Sequence, residues 1–250
     1  MIRLLRTFSV VGLMSLAGTG CVTLDQHFSQ KSHVEGARLY NAGDYEGAAG
    51  AYLNALKAEP RDYKAYYSLA CCYDAEKDYE KAIHAYRTSL DVMALTFAGQ
   101  HDGDFRLKVL DGLAQSIAHG ATHQTELDLA EKEARTKHEA EPYFLVAKIY
   151  RYSGDADSAV ENYNKAVLMD PDNVAYIREL ALYYEQLGQT QRAEPALRRA
   201  YGMGADDAQM KAALRRLAII PGPAIKPQKD LVQPVMPQGP IPDVVAPAAK

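Results

Sequence analysis

The feature that most limits what this chain can fold into is an interval. Gly36 and Ala70, Asp44 and Asp78, Ala48 and Ala82, and Tyr52 and Tyr86 share one spacing of about 34 residues. Downstream the interval returns as Ala147/Ala181, Tyr150/Tyr184, Gly154/Gly188, Ala159/Ala193 and Ala166/Ala200. A period of this length, kept by small and aromatic residues together, means supersecondary units stacked so that each covers its neighbour's apolar face. Within one unit, Tyr66, Leu69, Ala70 and Tyr73 recur at helical spacing, and Ala82, Tyr86 and Ser89 form a second stripe beyond a turn. The spacing predicts two amphipathic helices per unit. Ala70 and Ala82 are small where paired backbones approach closely, and Tyr73 and Tyr86 fill the space between successive pairs.

The turns agree with this division. Gly43-Asp44, Gly154-Asp155 and Gly188-Gln189 each place a residue that accepts a left-handed conformation at the end of a first helix. Pro60 and Pro171 sit at unit ends, and Pro142 opens a helix in its first turn, where a missing amide costs nothing. Pro195 is compatible with a second helix only if that helix starts near residues 190–192. The runs Tyr66-x2-Leu69-Ala70-x2-Tyr73 with Ala82-x3-Tyr86, and Tyr143-x2-Val146-Ala147-x2-Tyr150 with Ala159-x3-Tyr163 and Pro171, resemble the tetratricopeptide repeat. The first unit keeps Gly36, Leu39, Ala48, Tyr52 and Pro60 without the leading aromatic. The fifth keeps Leu180, Ala181, Tyr184 and Ala193, with Leu197 replacing the aromatic.

The resemblance implies an all-α fold, a right-handed α-solenoid of about five helical hairpins over residues 30–207, with a C-terminal capping helix over 208–219. The third unit is irregular, because Ala82 and Ala159 stand further apart than two intervals allow. Placing Leu110, Leu113, Ala114 and Ile117 on its first helix and Leu127, Ala130 and Ala134 on its second leaves an inserted loop over 97–106.

Both ends depart from the repeat. Arg3 and Arg6 precede an apolar stretch from Thr7 to Ala17, too short to span a bilayer, so residues 1–20 read as an export signal. Gly18-Thr19-Gly20-Cys21 resembles the processing site of bacterial lipoproteins, which implies lipidation at Cys21 and a membrane contact through that lipid. Val22 in place of Asp fits outer-membrane delivery by the same resemblance. Small residues at Gly18 and Gly20 also suit ordinary secretory cleavage, so a secreted or periplasmic adaptor for cell-wall proteins is the alternative. Residues 21–29 are then a short tether, spanning roughly 35 Å at most if extended. From Pro221 eight prolines fall within the last thirty residues, which makes 220–250 a proline-rich tail that cannot form a packed helix. This layout is similar to pilotin-type and tight-adherence pilus assembly lipoproteins.

A formal charge of -4 gives no reason to expect nucleic acid, and the expected partner is protein. Of 17 tyrosines, Tyr45, Tyr52, Tyr73, Tyr79, Tyr86, Tyr150 and Tyr163 occupy packing positions. Tyr40, Tyr67, Phe144 and Tyr152 lie off that stripe, on the side that lines the concave groove in the family. Lys64, Tyr67, Cys71 and Asp74 share one helical face, as do Glu141, Phe144, Lys148 and Arg151. The candidate partner-binding groove is therefore Tyr40, Lys64, Tyr67, Cys71, Asp74, Phe144, Lys148, Arg151 and Tyr152, suited to an extended peptide or a partner helix. The other reading of these aromatics is that they pack under the superhelical turn or sit exposed without a partner. Tyr67 and Cys71 stand where the chaperone-binding members have basic and amide side chains, so their carboxylate clamp is not expected.

Catalytic constellations are thin. His101, Asp102 and Asp104 in the insert, and His119 with His123, match no ligand pattern, and His119-Gly-Ala-Thr-His123 lacks the Glu of a zinc protease helix. A metal-dependent enzyme is the least favoured alternative, and no catalytic residue, cofactor or metal is expected. Adjacent Cys71 and Cys72 are too close for a relaxed disulfide.

Overall fold

The computed structural model describes residues 17–223 and 225, with side chains from residue 28. Residues 1–16 of the expected signal, the Cys21 side chain and residues 226–250 of the tail lie outside the described residues. Described residues fall into two compact units, the first ending at Leu127 and the second starting at Asp128. No helix among them is long and apolar enough to cross a membrane.

In the first unit, α1 (Ala17–Asn41) pairs with α2 (Tyr45–Ala58), and α3 (Tyr63–Ala75) pairs with α4 (Tyr79–Leu95). The short α5 (Phe97–Gln100) packs on α4, and α6 (Gly103–His119) closes the stack against α4 and α3. The unit boundary falls within α7 (His123–Lys137). In the second unit, α8 (Ala140–Ser153) pairs with α9 (Ala156–Met169) and α10 (Val174–Gln186) with α11 (Thr190–Gly202), and α12 (Ala208–Arg216) covers α10 and α11. The fold is all-α and made of helical hairpins. Two expectations are corrected. Residues 21–29, expected as a tether ahead of the first helix, are helical within α1, because neither Gly nor Pro interrupts the chain between Cys21 and Glu35. The 97–106 insert is not an open loop: Thr96 caps α5 and Asp102 caps α6, so most of it is helical.

Capping explains where these helices start. Asp44, Asp62, Asp78, Asp102, Asp155, Asn173 and Asp207 each accept a hydrogen bond from a backbone amide of the following helix's first turn. α11 begins at Thr190, which puts Pro195 early enough to be accommodated. Small-residue seams hold the pairs together: Ala48, Ala70, Ala82, Ala147, Ala159, Ala181 and Ala193 are wholly buried. The aromatic neighbours leave no spare room. A β-carbon on Gly36 would meet the Tyr52 ring at 2.8 Å, and one on Gly112 would overlap the Tyr86 ring. Between the first two pairs, Ala48, Ala49, Tyr52 and Leu56 of α2 pack on Ala65, Leu69 and Cys72 of α3. Cys72 is buried and Cys71 half-buried, both as free thiols. Leu127, Ala130 and Ala134 of α7 are buried as the repeat frame predicts.

The first-helix ends repeat one hydrogen-bonded turn. Asp44 N donates to Leu39 O, Asp78 N to Tyr73 O, Asp155 N to Tyr150 O and Gln189 N to Tyr184 O, all at 2.9–3.0 Å. The residue before each donor is left-handed: Gly43, Gly154 and Gly188 at three turns, Lys77 with φ of 63° at the fourth. A side chain in that region is strained by its own β-carbon. Lys77→Gly is expected to raise stability by about 0.5–1 kcal/mol, read as a higher urea midpoint at unchanged slope.

One ion pair fastens α1. His33 Nε2 lies 2.5 Å from Asp62 Oδ2, and the His33 ring stacks edge-on to Tyr52 at 5.7 Å. The Asp62 bond raises the His33 pKa above its ordinary 6.5 against the opposing effect of burial. Asp62 is held below its ordinary 3.8: burial pushes upward, and the His33 and backbone bonds outweigh it. The His33 contribution is therefore complete below the unfolded histidine value and lost as pH rises through the higher folded one. Hydrogen exchange of α1 amides relative to those of α10 is expected to speed up between about pH 6 and 8, and His33→Gln removes that difference.

Candidate protein-binding face

On the first unit, α3 presents Lys64, Tyr67, Cys71 and Asp74 along one side, and α1 ends in Tyr40, which is 36% exposed. The Tyr67 ring lies 4.9 Å from that of Phe105 and 5.8 Å from that of Tyr86, while Tyr63 meets Phe105 at 5.5 Å. Lys64 Nζ sits 5.6 Å from the Tyr63 centroid, 5.7 Å from that of Phe105 and 3.7 Å from Asp102. The Tyr63 hydroxyl donates to Asp102 at 3.1 Å, fixing the cap of α6 to α3. Deeper in, the Tyr86 hydroxyl donates to Asp74 at 2.7 Å and the Ser116 hydroxyl to its other oxygen at 2.6 Å. Burial raises the Asp74 pKa despite these two bonds, and raises those of Tyr67 and Tyr86, so both phenols are donors at neutral pH.

Cys71 Sγ lies 3.5 Å from the Tyr86 hydroxyl, and burial lifts its pKa. Cys72 is pushed up to about 12. Both sulfurs stay protonated at neutral pH, which suits packing and weak hydrogen bonding rather than nucleophilic attack. His101 stacks on Phe97 at 4.5 Å, and His119 and His123 face backbone carbonyls. Among the described residues no three His, Cys, Asp or Glu side chains gather as a metal site.

The equivalent face of the second unit differs. Phe144, expected to line a groove, is wholly buried: its ring sits 5.6 Å from Tyr163 of the paired α9 and 4.5 Å from Tyr176 of α10. It is core because the next hairpin brings an aromatic over it, so it cannot touch a partner. Lys148 is only 5% exposed, with Nζ 3.3 Å from Glu179 and 5.2 Å above Phe144. Arg151 reaches the same Glu179 oxygen at 3.2 Å and Gln186 at 3.1 Å. Arg178 bonds the other Glu179 oxygen and Asp207, each at 2.7 Å. Tyr152 is half-buried. This face is an ionic network satisfied from within.

Two groups escape the sequence pattern. The repeat frame assigns Phe105 to the insert, although Asp102 three residues earlier is a helix cap that places it on α6. Glu179 carries no signal, because only the approach of α8 to α10 brings Lys148 and Arg151 to it beside its neighbour Arg178. Removing its charge leaves those cations in a poorly solvated site. Glu179→Gln is expected to cost about 3 kcal/mol. Glu185→Gln, whose partner Arg216 is 56% exposed, should cost about 1 kcal/mol or less, both by chemical denaturation.

Comparison with known proteins adds to this geometry. The family model described as tetratricopeptide repeat matches residues 34–91 and 145–208. BBSome complex member BBS4 of Bos taurus is 26% identical over 155 residues, covering 62% of this chain and 21% of that protein. TPR repeat-containing protein MJ1428 of Methanocaldococcus jannaschii is 23% identical over 159 residues, 64% of this chain and 28% of that one. The chain therefore spans less than a third of the length of either relative. The solved structure of TTC0263, a thermophilic TPR protein in Thermus thermophilus, aligns over 76% of this chain and 98% of its own, at 18% identity and a TM-score of 0.46. Paired helices, buried alanine seams and a repeated left-handed turn occur in both matched stretches, which are tetratricopeptide repeats.

Proposed function

We propose that this chain is a non-catalytic scaffold that holds another polypeptide at the bacterial cell envelope, tethered to the outer membrane through a lipid on Cys21 and facing the periplasm. The observation that carries the reading is the half-exposed aromatic face of α1, α3 and α6, where Tyr40, Tyr67 and Phe105 stand beside Lys64 and Asp74. Rings flanked by both signs of charge suit an extended peptide or an amphipathic helix, because side-chain burial gives affinity while the rim sets register. The export-like residues 1–20 and Gly18-Thr19-Gly20-Cys21 support the envelope location. A role in pilus or secretion-complex assembly follows from the same layout of lipid anchor and repeats.

Two measurements test this. Mass spectrometry of the mature N-terminus is expected to find diacylglycerol on Cys21 and none after Cys21→Ser; an unmodified Cys21 would return the chain to the secreted adaptor reading. A photo-crosslinker placed at Tyr40 in intact cells should capture one polypeptide that the same group at exposed Glu80 does not. Equal capture at both positions would remove the binding face from the account.

A further inference from the structure

Among the described residues of the first unit, the two most exposed large apolar side chains are near neighbours: Leu95 is 77% and Phe97 78% exposed. The fold holds them in that position. Gly99 is buried and seats α5 on α4, where a β-carbon would meet the Met93 backbone at 2.5 Å. Gly99 N donates to Thr96 Oγ1 at 3.2 Å, and Gln100 Nε2 donates to Ala94 O at 2.9 Å. With its glycine packed on α4, α5 leaves Phe97 outside, where the ring meets that of His101 at 4.5 Å. An apolar pair displayed on a turn fixed in this way marks a contact surface.

Hydrogen bonds place this pair on one edge of the unit. Ser89, late in α4, donates to Tyr63 O at 2.8 Å, the Tyr63 hydroxyl donates to Asp102, and His33 is bonded to Asp62. The starts of α3 and α6, the end of α4, all of α5 and the His33 stretch of α1 therefore share the edge. α1 continues past it. It has 25 residues against 14 in α2, and at 1.5 Å per residue Cys21 lies about 18 Å before His33 along the axis. Phe28, 53% exposed, stands on this outgoing stretch. The N-terminal end of α1 thus leaves the unit through the edge that carries Leu95 and Phe97. Lys57, Arg61 and Lys64 are exposed around that edge beside Glu59 and Asp104, charges of both signs that suit zwitterionic headgroups.

We propose that this edge is a membrane-contact surface, resting on the leaflet that holds the Cys21 lipid, with Leu95 and Phe97 entering the boundary between headgroups and acyl chains. The proposal builds on the reading of Cys21 as the anchor. An anchor about 18 Å from the edge keeps it at high effective concentration near the bilayer, so two apolar side chains suffice as the second contact that membrane binding by lipidated chains commonly uses. Docked in this way, the unit keeps Tyr40, at the far end of α1, away from the lipid.

The chain contains no tryptophan, so Phe97→Trp supplies a single fluorescent reporter at the edge. Glu80→Trp supplies the control, about 22 Å from Leu95 along α4. Each variant, taken from Cys21 onward, is coupled through that cysteine to phosphatidylcholine vesicles containing a maleimide lipid; Cys21→Ser, treated alike, checks the point of attachment. Chemical coupling makes the result independent of whether cells lipidate Cys21, which mass spectrometry of the mature N-terminus decides separately. With acyl-chain-brominated phosphatidylcholine, the reporter at position 97 is expected to lose most of its fluorescence and the one at position 80 to keep it. Adding Leu95→Asp to Phe97→Trp should lower the ratio of docked to undocked chains about tenfold, equivalent to about 1.4 kcal/mol. Equal quenching at both positions, no quenching at position 97, quenching unchanged by Leu95→Asp, or an emission shift that needs no lipid, as a second copy covering the edge would give, overturns the proposal.

Discussion

Everything in this molecule depends on how closely two helices of a hairpin can approach. Ala48, Ala82, Ala159 and Ala193 on the second helices, and Ala70, Ala147 and Ala181 on the first, are wholly buried, and no larger side chain would fit there without parting the pair. Close approach then fixes where aromatics go. Tyr52 lies over Gly36 and Tyr86 over Gly112, so each ring fills the gap that the small residue leaves open. The repeat interval is the length of chain needed to make one pair, turn, and present the same seam to the next.

From that shared frame the two units have taken different chemistry at equivalent positions. Lys64, Tyr67, Cys71 and Asp74 correspond, at one constant offset along the chain, to Glu141, Phe144, Lys148 and Arg151. The first set is aromatic and polar, with Asp74 accepting only from hydroxyls in the hydrogen bonds described. The second gathers cations on Glu179 and buries its aromatic. A satisfied ionic network contributes rigidity and has little left to give a ligand, whereas half-exposed rings still have surface to bury. The first unit is therefore the one whose rings keep surface to bury.

Much of this is legible in the chain. The hairpins, the left-handed stops at Gly43, Gly154 and Gly188, the free adjacent cysteines and the buried stripe of α7 all follow from spacing and turn chemistry. The helical insert is not, as long as the repeat frame is the guide, because that frame has no place for it; a cap such as Asp102 acts locally and needs no frame. The helical course of residues 21–29 is hidden for another reason. A change of role along a chain does not entail a change of conformation, and a helix stops only where Gly, Pro or a cap stops it.

What the sequence determined by itself was everything set within about four residues: which segments coil, where they begin and end, and which stripe of each is apolar. Those outcomes rest on backbone hydrogen bonds and side-chain spacing that a local stretch already contains. Tertiary structure decided which half-apolar positions stay open. Tyr67 and Phe144 occupy the same place in the pattern, yet Tyr176 from the following hairpin covers Phe144, while Phe105 stands beside Tyr67 and leaves it part-exposed. Burial depends on the atoms that arrive from elsewhere in the chain, and a periodic pattern does not specify them.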